Sequence, residues 1–179
     1  MTDQLSALDW LDQGLKTLAA RGFTALKAEP LAKAMGVSRG SFYRHFADIS
    51  AFHGAILKHW REVAAEQIIA DLENRSGDEN SLHLLLRRAF AGNFALERAV
   101  RNWATFDTAA RSAVQAIDRR RLGYLEGLLR AAGFPHEIAA GRAQILYWAF
   151  LGSALSDKPL PKAQQQAALD ELIRIASPS

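Results

Sequence analysis

The sequence predicts an all-α protein of about nine helices. Apolar residues recur every three or four positions along most of the chain, which is the spacing of a helix with one buried face. No segment shows the strict alternation of apolar and polar residues that indicates a β-strand. A chain of 179 residues with 49% hydrophobic content is large enough to bury a substantial core.

The N-terminal region contains three predicted helices. The first ends at Gly22, and its apolar stripe comprises Ala7, Trp10, Leu11, Gly14, Leu15 and Leu18. A short second helix spans about residues 28–35, with Pro30 tolerated because it lies in the first turn. Ser38 is placed to cap a third helix over about residues 39–44.

The remaining helices are longer. A fourth helix begins after its N-cap, Asp48, and runs to about Glu73, with one apolar face made of Phe52, Ile56, Trp60, Val63 and Leu72. The polar run NRSGDEN, residues 74–80, then interrupts the pattern. Further helices are predicted over about residues 82–93, 95–106, 109–132, 137–155 and 163–176.

Composition and short motifs argue against several classes of protein. The chain has no cysteine, so it can form neither a disulfide nor a thiolate metal site. It contains no HExxH pair and no glycine-rich nucleotide loop, and we therefore expect no enzyme, no metal and no cofactor. The N-terminal MTDQLSALDW lacks the pattern of a leader peptide, and no apolar stretch reaches about 18 residues. We expect a cytoplasmic protein that does not enter a membrane.

The segment LAKAMGVSRGSFYRHF, residues 31–46, has the pattern of a helix-turn-helix. This motif joins two helices by a short turn that often contains glycine, and its second helix enters the major groove of DNA. Ala32 is small enough for the helices to approach, Gly36 can adopt the left-handed turn conformation, and Val37 fills the space between the helices. Because the same geometry also occurs in proteins that never bind nucleic acid, the side chains of the second helix must decide its function.

Those side chains suit DNA. With Phe42 and Phe46 directed inward, the residues predicted to face outward and contact DNA are Ser38, Arg39, Gly40, Ser41, Tyr43, Arg44 and His45. Arginine can bind guanine through two hydrogen bonds, serine can contact a base or a phosphate, and tyrosine and histidine can reach phosphates. Over residues 21–61, seven Lys or Arg residues are opposed by two acidic residues, which gives a local net charge of +5.

The order of these elements over about residues 7–60 resembles the N-terminal domain of the tetracycline-repressor (TetR) family. The resemblance rests on the first helix, the sequence RGF, the short second helix, GVSRGSFYRHF and the long apolar helix that follows. It implies a homodimeric transcriptional regulator, usually a repressor, that leaves a palindromic double-stranded DNA operator when a small-molecule inducer binds. Many relatives carry Thr and Lys at the positions of Leu26 and Ile49, and Lys27 is a candidate replacement for one lost backbone contact.

The resemblance also implies a division of the chain. Residues 1–47 are expected to form the DNA-binding domain, and residues 48–179 the ligand-binding and dimerisation domain, with the helix of residues 48–73 linking the two. The last two helices would form the dimer interface as a four-helix bundle with their copies. The interface residues expected from the penultimate helix are Gly141, Ile145, Trp148, Ala149, Gly152 and Leu155. Packing within one chain would produce the same pattern.

Aromatic residues of the second half are candidates for the small-molecule pocket, because such pockets are largely apolar with a few polar groups. The candidates are Phe90, Phe94, Trp103, Phe106, Tyr124, Leu128 and Tyr147. Ordinary core packing is the alternative for each of them. The run DRRRLGYLEG, residues 118–127, is interpreted as a solvated helix face rather than a second nucleic-acid site.

A second functional hypothesis stays open at this point. A helical ligand-binding or scaffold protein that has lost operator binding would retain the same fold, and Ile49 in place of Lys is the feature that favours it. The salt dependence of DNA binding distinguishes the two hypotheses, because only a phosphate-contacting protein loses affinity steadily as salt rises.

Overall fold

The computed structural model describes residues 5–74, 81–158 and 160–177, and within them the regular structure is entirely helical. The α-helices are α1 (Ala7–Arg21), α2 (Ala28–Ala34), α3 (Arg39–Tyr43), α4 (Ile49–Arg61), α5 (Gln67–Glu73), α6 (Ser81–Phe90), α7 (Ala95–Trp103), α8 (Thr108–Ala131), α9 (His136–Leu155) and α10 (Lys162–Ala176). A 3₁₀ turn, Phe23–Ala25, follows α1. The π-helical turn Glu62–Glu66 joins α4 to α5 without a break. Counting α4 and α5 as one continuous helix, the described residues contain nine helices. The all-α prediction is confirmed.

Local chemistry explains the helix ends. Gly22 and Gly36 have φ angles of 76° and 68°, which glycine adopts without strain, and each follows the end of a helix as predicted. Asp48 caps α4 through a 2.7 Å hydrogen bond from the backbone N–H of Ala51 to its Oδ1, also as predicted. The prediction missed the capping box of α1, in which Ser6 and Asp9 bond each other's backbone N–H groups.

Two predicted helices end earlier than expected. The helix predicted over residues 82–93 ends at Phe90, and the helix predicted over residues 95–106 ends at Trp103. The second difference has a clear cause, because the side chain of Asp107 accepts the backbone N–H of Ala110 at 2.7 Å and starts α8 there. Most of the predicted polar break at residues 74–80 lies outside the described residues.

The chain divides into two compact units. Unit 1 comprises Met1–Ala64 and Ala95–Ala116, and unit 2 comprises Ala65–Phe94 and Ile117–Ser179. The boundaries therefore fall inside the π-helical turn and inside α8. The predicted domain boundary between residues 47 and 48 separates the expected DNA-binding part from the expected ligand-binding part. It was not based on compactness, so it stays a prediction.

Unit 1 has an aromatic core centred on Phe42. The ring of Phe42 is fully buried and lies 5.2–5.3 Å from the rings of Trp10, Tyr43, Phe46 and Phe52. Gly14 brings α1 close to α4, because a Cβ at this position would lie 2.3 Å from Ile56 Cδ1. The same two helices are joined at the surface, where His59 Nε2 lies 2.7 Å from Asp12 Oδ1. This packing fixes the position of α3.

Helix α7 also belongs to unit 1, where it packs on α1. Its buried Trp103 stacks on Phe23 with ring centroids 4.6 Å apart. Glu97 is buried too, and its carboxylate accepts a 2.7 Å hydrogen bond from Arg101 Nε one turn later. A buried carboxylate requires such a partner, because desolvation of an isolated charge is costly.

Unit 2 has an aliphatic core between α6, α8, α9 and α10. Its buried members are Leu82, Leu86, Leu125, Leu129, Ala139, Ala143, Leu146 and Ala176. Arg142 closes one end of this core by donating a 2.6 Å hydrogen bond to the carbonyl of Ile175 while its guanidinium lies 4.2 Å from the ring centroid of Phe134. Within the described residues, none of the helices combines the length and hydropathy that a bilayer crossing requires.

Candidate nucleic-acid interface

Helices α2 and α3 form a tight bend. Ala32 is buried where the helices approach, and its carbonyl accepts the backbone N–H of Val37 at 3.0 Å, which closes the turn. Gly36 takes the left-handed conformation within that turn. The side chain of Ser38 makes no capping hydrogen bond, although Ser38 occupies the N-cap position of α3. Its exposed hydroxyl is therefore not used to cap the helix.

The outer face of α3 carries a guanidinium held against a tyrosine. Arg39 Nη2 donates a 3.0 Å hydrogen bond to Tyr43 Oη, and the guanidinium carbon lies 5.4 Å from the centroid of the Tyr43 ring. The hydrogen bond to Tyr43 raises the pKa of Arg39, so Arg39 stays charged. Arg39, Gly40, Tyr43 and Arg44 are all exposed, as predicted.

Ser41 does not face outward, and this prediction was wrong. The residue is only 5% exposed, and it is buried in unit 1 together with its neighbour Phe42. The Ser41 hydroxyl accepts a 3.2 Å hydrogen bond from Arg44 Nη2. Ser41 thus supports the exposed guanidinium of Arg44 from below.

His45 is also less accessible than predicted. The residue is half-buried, and within the described residues its Nε2 atom is buried without a hydrogen-bond partner. The prediction that His45 faces outward is therefore wrong for that edge of the ring. The cause is position, since His45 follows the last turn of α3 next to the buried Phe46.

Leu26 and Ile49, the two positions at which the sequence departs from the pattern of many TetR-family proteins, both lie at least partly buried. Leu26 is buried, and its carbonyl lies 2.9 Å from His53 Nε2 on α4. Lys27 is the N-cap of α2; its side chain is exposed and makes no capping hydrogen bond. Ile49 is the half-buried first residue of α4. Lys27 thus presents a positive charge at the N-cap position of α2 itself, where no side chain caps the helix.

The candidate ligand residues fall into two separate groups. In unit 1, Trp103 and Phe106 join Phe23, whose ring centroid is 5.6 Å from that of Phe106. Phe106 is 62% exposed, while the buried Nε1 of Trp103 has no hydrogen-bond partner among the described residues. These two residues are not in the unit that holds Phe90, Phe94 and Tyr147.

In unit 2, the candidate aromatics gather around Phe150, which the sequence prediction missed. The ring centroid of Phe150 lies 6.3 Å from Phe90, 5.8 Å from Phe94 and 5.8 Å from the stacked ring of Tyr147. The signal that could have found Phe150 is its position three residues after Tyr147 on the same helix. Tyr124 and Leu128 are half-buried; Leu128 packs against the aliphatic core.

Tyr147 brings charged residues of α8 to this aromatic cluster. Its buried hydroxyl donates a 2.6 Å hydrogen bond to Asp118 Oδ1, and burial together with this bond raises the pKa of Tyr147 to about 12. The Arg121 guanidinium lies 5.2 Å from the Phe150 centroid. The predicted solvated face at residues 118–127 is therefore only partly correct, because Asp118 and Arg121 are half-buried while Arg119 and Arg120 are exposed.

Helix α9 exposes an apolar stripe on its other side. Gly141, Ile145, Trp148, Gly152 and Leu155 are exposed and Ala149 is half-buried, while Leu146 and Tyr147 face the core. The six positions expected at a dimer interface are thus accessible in the single chain, except for the partial burial of Ala149. Accessibility permits this role without testing it.

Comparisons with known proteins agree with the helix-turn-helix geometry. The family model for bacterial regulatory proteins of the tetR family matches residues 11–60, which span the bend and both helices that support it. Residues 11–60 are therefore similar to the N-terminal helix-turn-helix domain of the tetR family. This match indicates a DNA-binding helix-turn-helix of the type found in bacterial regulatory proteins. A sequence comparison with curated proteins found no match.

Solved structures extend the similarity over the whole fold. The reduced form of Escherichia coli NemR superposes with a TM-score of 0.77 and is 22% identical in sequence; the alignment covers 97% of this chain and 99% of NemR. A transcriptional regulator from Saccharomonospora viridis in complex with choline superposes with a TM-score of 0.73 and is 15% identical in sequence. The alignment covers 94% of this chain and 95% of that regulator. The transcriptional regulator FadR from Bacillus subtilis in complex with stearoyl-CoA superposes with a TM-score of 0.67 and is 17% identical in sequence. The alignment covers 94% of this chain and 98% of FadR. At these identities the likeness shows the fold alone.

Proposed function

We propose that this protein is a cytoplasmic repressor of the TetR family that binds a palindromic operator as a homodimer and is released by a small-molecule ligand. The observation that carries the proposal is the outer face of α3, where Arg39, Tyr43 and Arg44 are exposed above the buried ring of Phe42. A rigid support with exposed arginines is what reading of the major groove requires.

The side chains of this face have different proposed roles. Arg39 reads a base, because a guanidinium can bind guanine with two hydrogen bonds. Arg44, supported by Ser41, contacts phosphate, together with the uncapped hydroxyl of Ser38 and the exposed Lys27. Tyr43 accepts a hydrogen bond from Arg39, which leaves its own hydroxyl proton free to donate to a phosphate.

Contacts by Gly40 and His45 are also proposed. Gly40 lies in the first turn of α3, and the nearest atom to a Cβ placed there is Ser38 Oγ at 3.7 Å, so the absence of a side chain lets DNA approach the backbone. For His45, only the ring edge opposite the buried Nε2 is available to contact a phosphate.

A homodimer follows from the proposed operator. The reader helices of a two-fold dimer must be separated by about 34–36 Å to enter successive major grooves. The exposed stripe of α9 offers the surface for self-association, with Ile145 and Trp148 as its largest members. Tryptophan is among the residues that contribute most to binding at interfaces.

The proposed ligand site lies in unit 2, at the aromatic cluster of Phe90, Phe94, Tyr147 and Phe150. A partly exposed aromatic wall beside Arg121 and Asp118 supports a small-molecule site. Trp103 and Phe106 form a different cluster, in unit 1. The choline and stearoyl-CoA bound by two proteins of this fold differ so much in chemistry that the fold does not select a ligand.

Release is proposed to act through the separation of the two reader helices. Ligand binding displaces the continuous helix of residues 49–73, and a small displacement prevents both copies of α3 from entering their grooves together. Allosteric coupling of about 1–3 kcal/mol weakens binding roughly 5- to 150-fold. A ligand that releases the DNA should change operator affinity by a factor in this range.

Selection from a random-sequence duplex library tests the proposed function. We expect enrichment of a palindrome whose half-sites lie about one helical turn apart. Arg39→Ala should cost about 1–3 kcal/mol of binding and relax the preference at one base pair per half-site. Arg119→Ala is the matched control, since Arg119 is an exposed arginine of α8. If no sequence is enriched, the protein is a helical ligand-binding or scaffold protein without an operator.

A further inference from the structure

A second group of aromatic rings lies in unit 1, and Phe23, in the 3₁₀ turn after α1, is its central member. The other members are His53 of α4, Trp103 at the end of α7 and Phe106 just after it, with ring centroids 4.9, 4.6 and 5.6 Å from that of Phe23. We call these four residues the Phe23 cluster. All four belong to unit 1, so the cluster is distinct from the aromatic residues around Phe150 in unit 2.

The Phe23 cluster reaches from the surface to the interior. Phe106 is 62% exposed, Phe23 and His53 are half-buried, and Trp103 is 1% exposed. Phe106 lies in the short turn between α7 and α8, with most of its side chain outside the core. Exposed side chains change rotamer within picoseconds to nanoseconds. Phe106 is therefore the member of the cluster that can move with the least loss of packing.

Trp103 brings an unused hydrogen-bond donor to the cluster. Its Nε1 atom is buried and has no hydrogen-bond partner among the described residues. Such a group destabilises the fold, so its presence calls for an explanation. The same atom of Trp10 is also unpaired, but Trp10 packs on the fully buried Phe42 in the core of unit 1. Trp103 differs because its cluster includes an exposed ring, and an acceptor on a bound molecule would satisfy its N–H.

Two rings of the cluster hold the Trp103 indole in place. Phe23 stacks on it with an angle of 30° between the ring planes. His53 meets it at 76°, with the centroids 5.6 Å apart. His53 is itself fixed, because its Nε2 donates a 2.9 Å hydrogen bond to the carbonyl of Leu26, which can only accept. The donor of Trp103 is therefore held in position before any ligand binds.

The charged groups beside Phe106 are bound to the backbone. Arg111 donates hydrogen bonds from Nε and Nη2 to the carbonyls of Ala104 and Thr105, at 3.2 and 3.1 Å. Asp107 Oδ1 accepts a 2.7 Å hydrogen bond from the backbone of α8. Because both charges already have backbone partners, these surroundings favour a neutral ligand over a charged one.

We propose that the Phe23 cluster is a second small-molecule site, which binds a neutral, flat aromatic molecule that carries an oxygen or ring-nitrogen acceptor. The ligand ring packs between Phe106 and Phe23, since aromatic rings pack well in stacked and edge-on arrangements. Its acceptor takes the N–H of Trp103. Because Nε1 is covered in the structure, Phe106 rotates outward to admit the ligand. The site is independent of the ligand site proposed in unit 2 and goes beyond operator release.

Fluorescence titration with two naphthalene probes tests the site. Prodan is neutral and flat and carries a ketone, while its parent dimethylaminonaphthalene lacks that acceptor. We expect Trp103→Phe to weaken prodan binding about 2- to 13-fold more than it weakens the parent, the factor for one hydrogen bond. Phe106→Ala should weaken both probes about 10-fold, because it removes one wall of the site. Leu8→Ala changes another exposed apolar residue of unit 1 and should bind both probes as the wild type does.

NMR can observe the proposed hydrogen bond itself. The chain has four tryptophans, so its proton–nitrogen correlation spectrum contains four indole N–H signals. The signal that is missing from Trp103→Phe belongs to Trp103. We expect this proton signal to move downfield when prodan binds and to move much less with the parent. Circular dichroism confirms that each variant keeps its helicity.

The proposal is overturned if the wild type does not bind prodan up to the solubility limit of the probe. It is also overturned if Trp103→Phe keeps the full preference for prodan over the parent, or if Phe106→Ala binds both probes like the wild type. Loss of prodan binding in Phe150→Ala but not in Phe106→Ala would place the probe in unit 2 and refute the site in unit 1. Phe106 is exposed, so Phe106→Ala decides the question without relying on the folding of Trp103→Phe.

Discussion

Helices α3 and α9 each bury one face and expose the other, but their exposed faces differ in chemistry. The exposed face of α3 carries Arg39, Tyr43 and Arg44, while the exposed stripe of α9 carries isoleucine, tryptophan, leucine and glycine. Burial determines which face is free in both cases, through Phe42 in α3 and Leu146 in α9. The residue types on the free face support the partners proposed above, nucleic acid for α3 and an apolar protein surface for α9.

The largest expected effect comes from removing the support of α3. Phe42→Ala should destabilise the protein by about 3–5 kcal/mol, because it leaves a cavity among four aromatic rings. Chemical unfolding measures this loss, and operator binding should fall with it. Phe42→Leu, which keeps most of the volume, should cost much less. Equal stability of Phe42→Ala and the wild type would mean that Phe42 does not anchor α3.

The corresponding change on α9 should leave the fold intact. Trp148→Glu places a charge in the stripe at a residue that is 62% exposed in the single chain, so the folding stability of the monomer should barely change. The Kd of the dimer should rise at least about 30-fold, since interface tryptophans often contribute 2 kcal/mol or more. Analytical ultracentrifugation measures the Kd. Ser153→Glu on the same helix should leave it unchanged, and an intact Trp148→Glu dimer would move the interface elsewhere.

A pH experiment tests the buried contact behind the α9 stripe. The pKa of Tyr147 is about 12 in the folded protein, against about 10 for an unfolded tyrosine. The folded state therefore keeps the proton that the unfolded state loses, so this stabilisation is present below about pH 10 and is lost as the pH rises towards 12. Between about pH 9 and 11.5, the wild type should lose about 2 kcal/mol more stability than Tyr147→Phe. Urea unfolding at both pH values measures this, and parallel losses in the two proteins would contradict it.

The smallest expected effect concerns the position of Arg39. Tyr43→Phe keeps the ring under the guanidinium but removes the hydroxyl that accepts the 3.0 Å hydrogen bond. Operator affinity should fall by about 0.5–1.5 kcal/mol, the range for one hydrogen bond. Competition with duplexes changed at the Arg39 base pair should also show a weaker preference there. An unchanged base preference would assign Tyr43 to phosphate contact only.

Much of the DNA-binding unit could be predicted because its determinants are local. Gly36 in the turn, Asp48 as the cap of α4 and Phe42 as the inward residue each follow from neighbouring residues in the sequence. Burial of Ser41 could not be predicted, since it depends on how a helix of five residues is seated against α1 and α4. A helical period locates one inward residue, but it does not show how wide the buried face is.

The aromatic residues of the second half were predicted less well for the same reason. Aromatic character made Phe90, Phe94 and Tyr147 candidates for a pocket, but tertiary packing decides which residues become their long-range neighbours. Trp103 therefore packs with Phe23 in unit 1, while Phe150 gathers the other aromatics in unit 2. Asp118, expected on a solvated face, instead accepts the hydroxyl of Tyr147 from α9.

The salt dependence of operator binding tests most directly whether the exposed face of α3 contacts DNA. The logarithm of the binding constant should fall linearly with the logarithm of salt concentration, with a slope of about −0.9 for each phosphate neutralised. Arg44→Ala should reduce the magnitude of that slope by about one per protomer, and Arg119→Ala should leave it unchanged. Binding that does not depend on salt, or an Arg44→Ala slope equal to that of the wild type, would contradict the assignment of α3 as the DNA-binding surface.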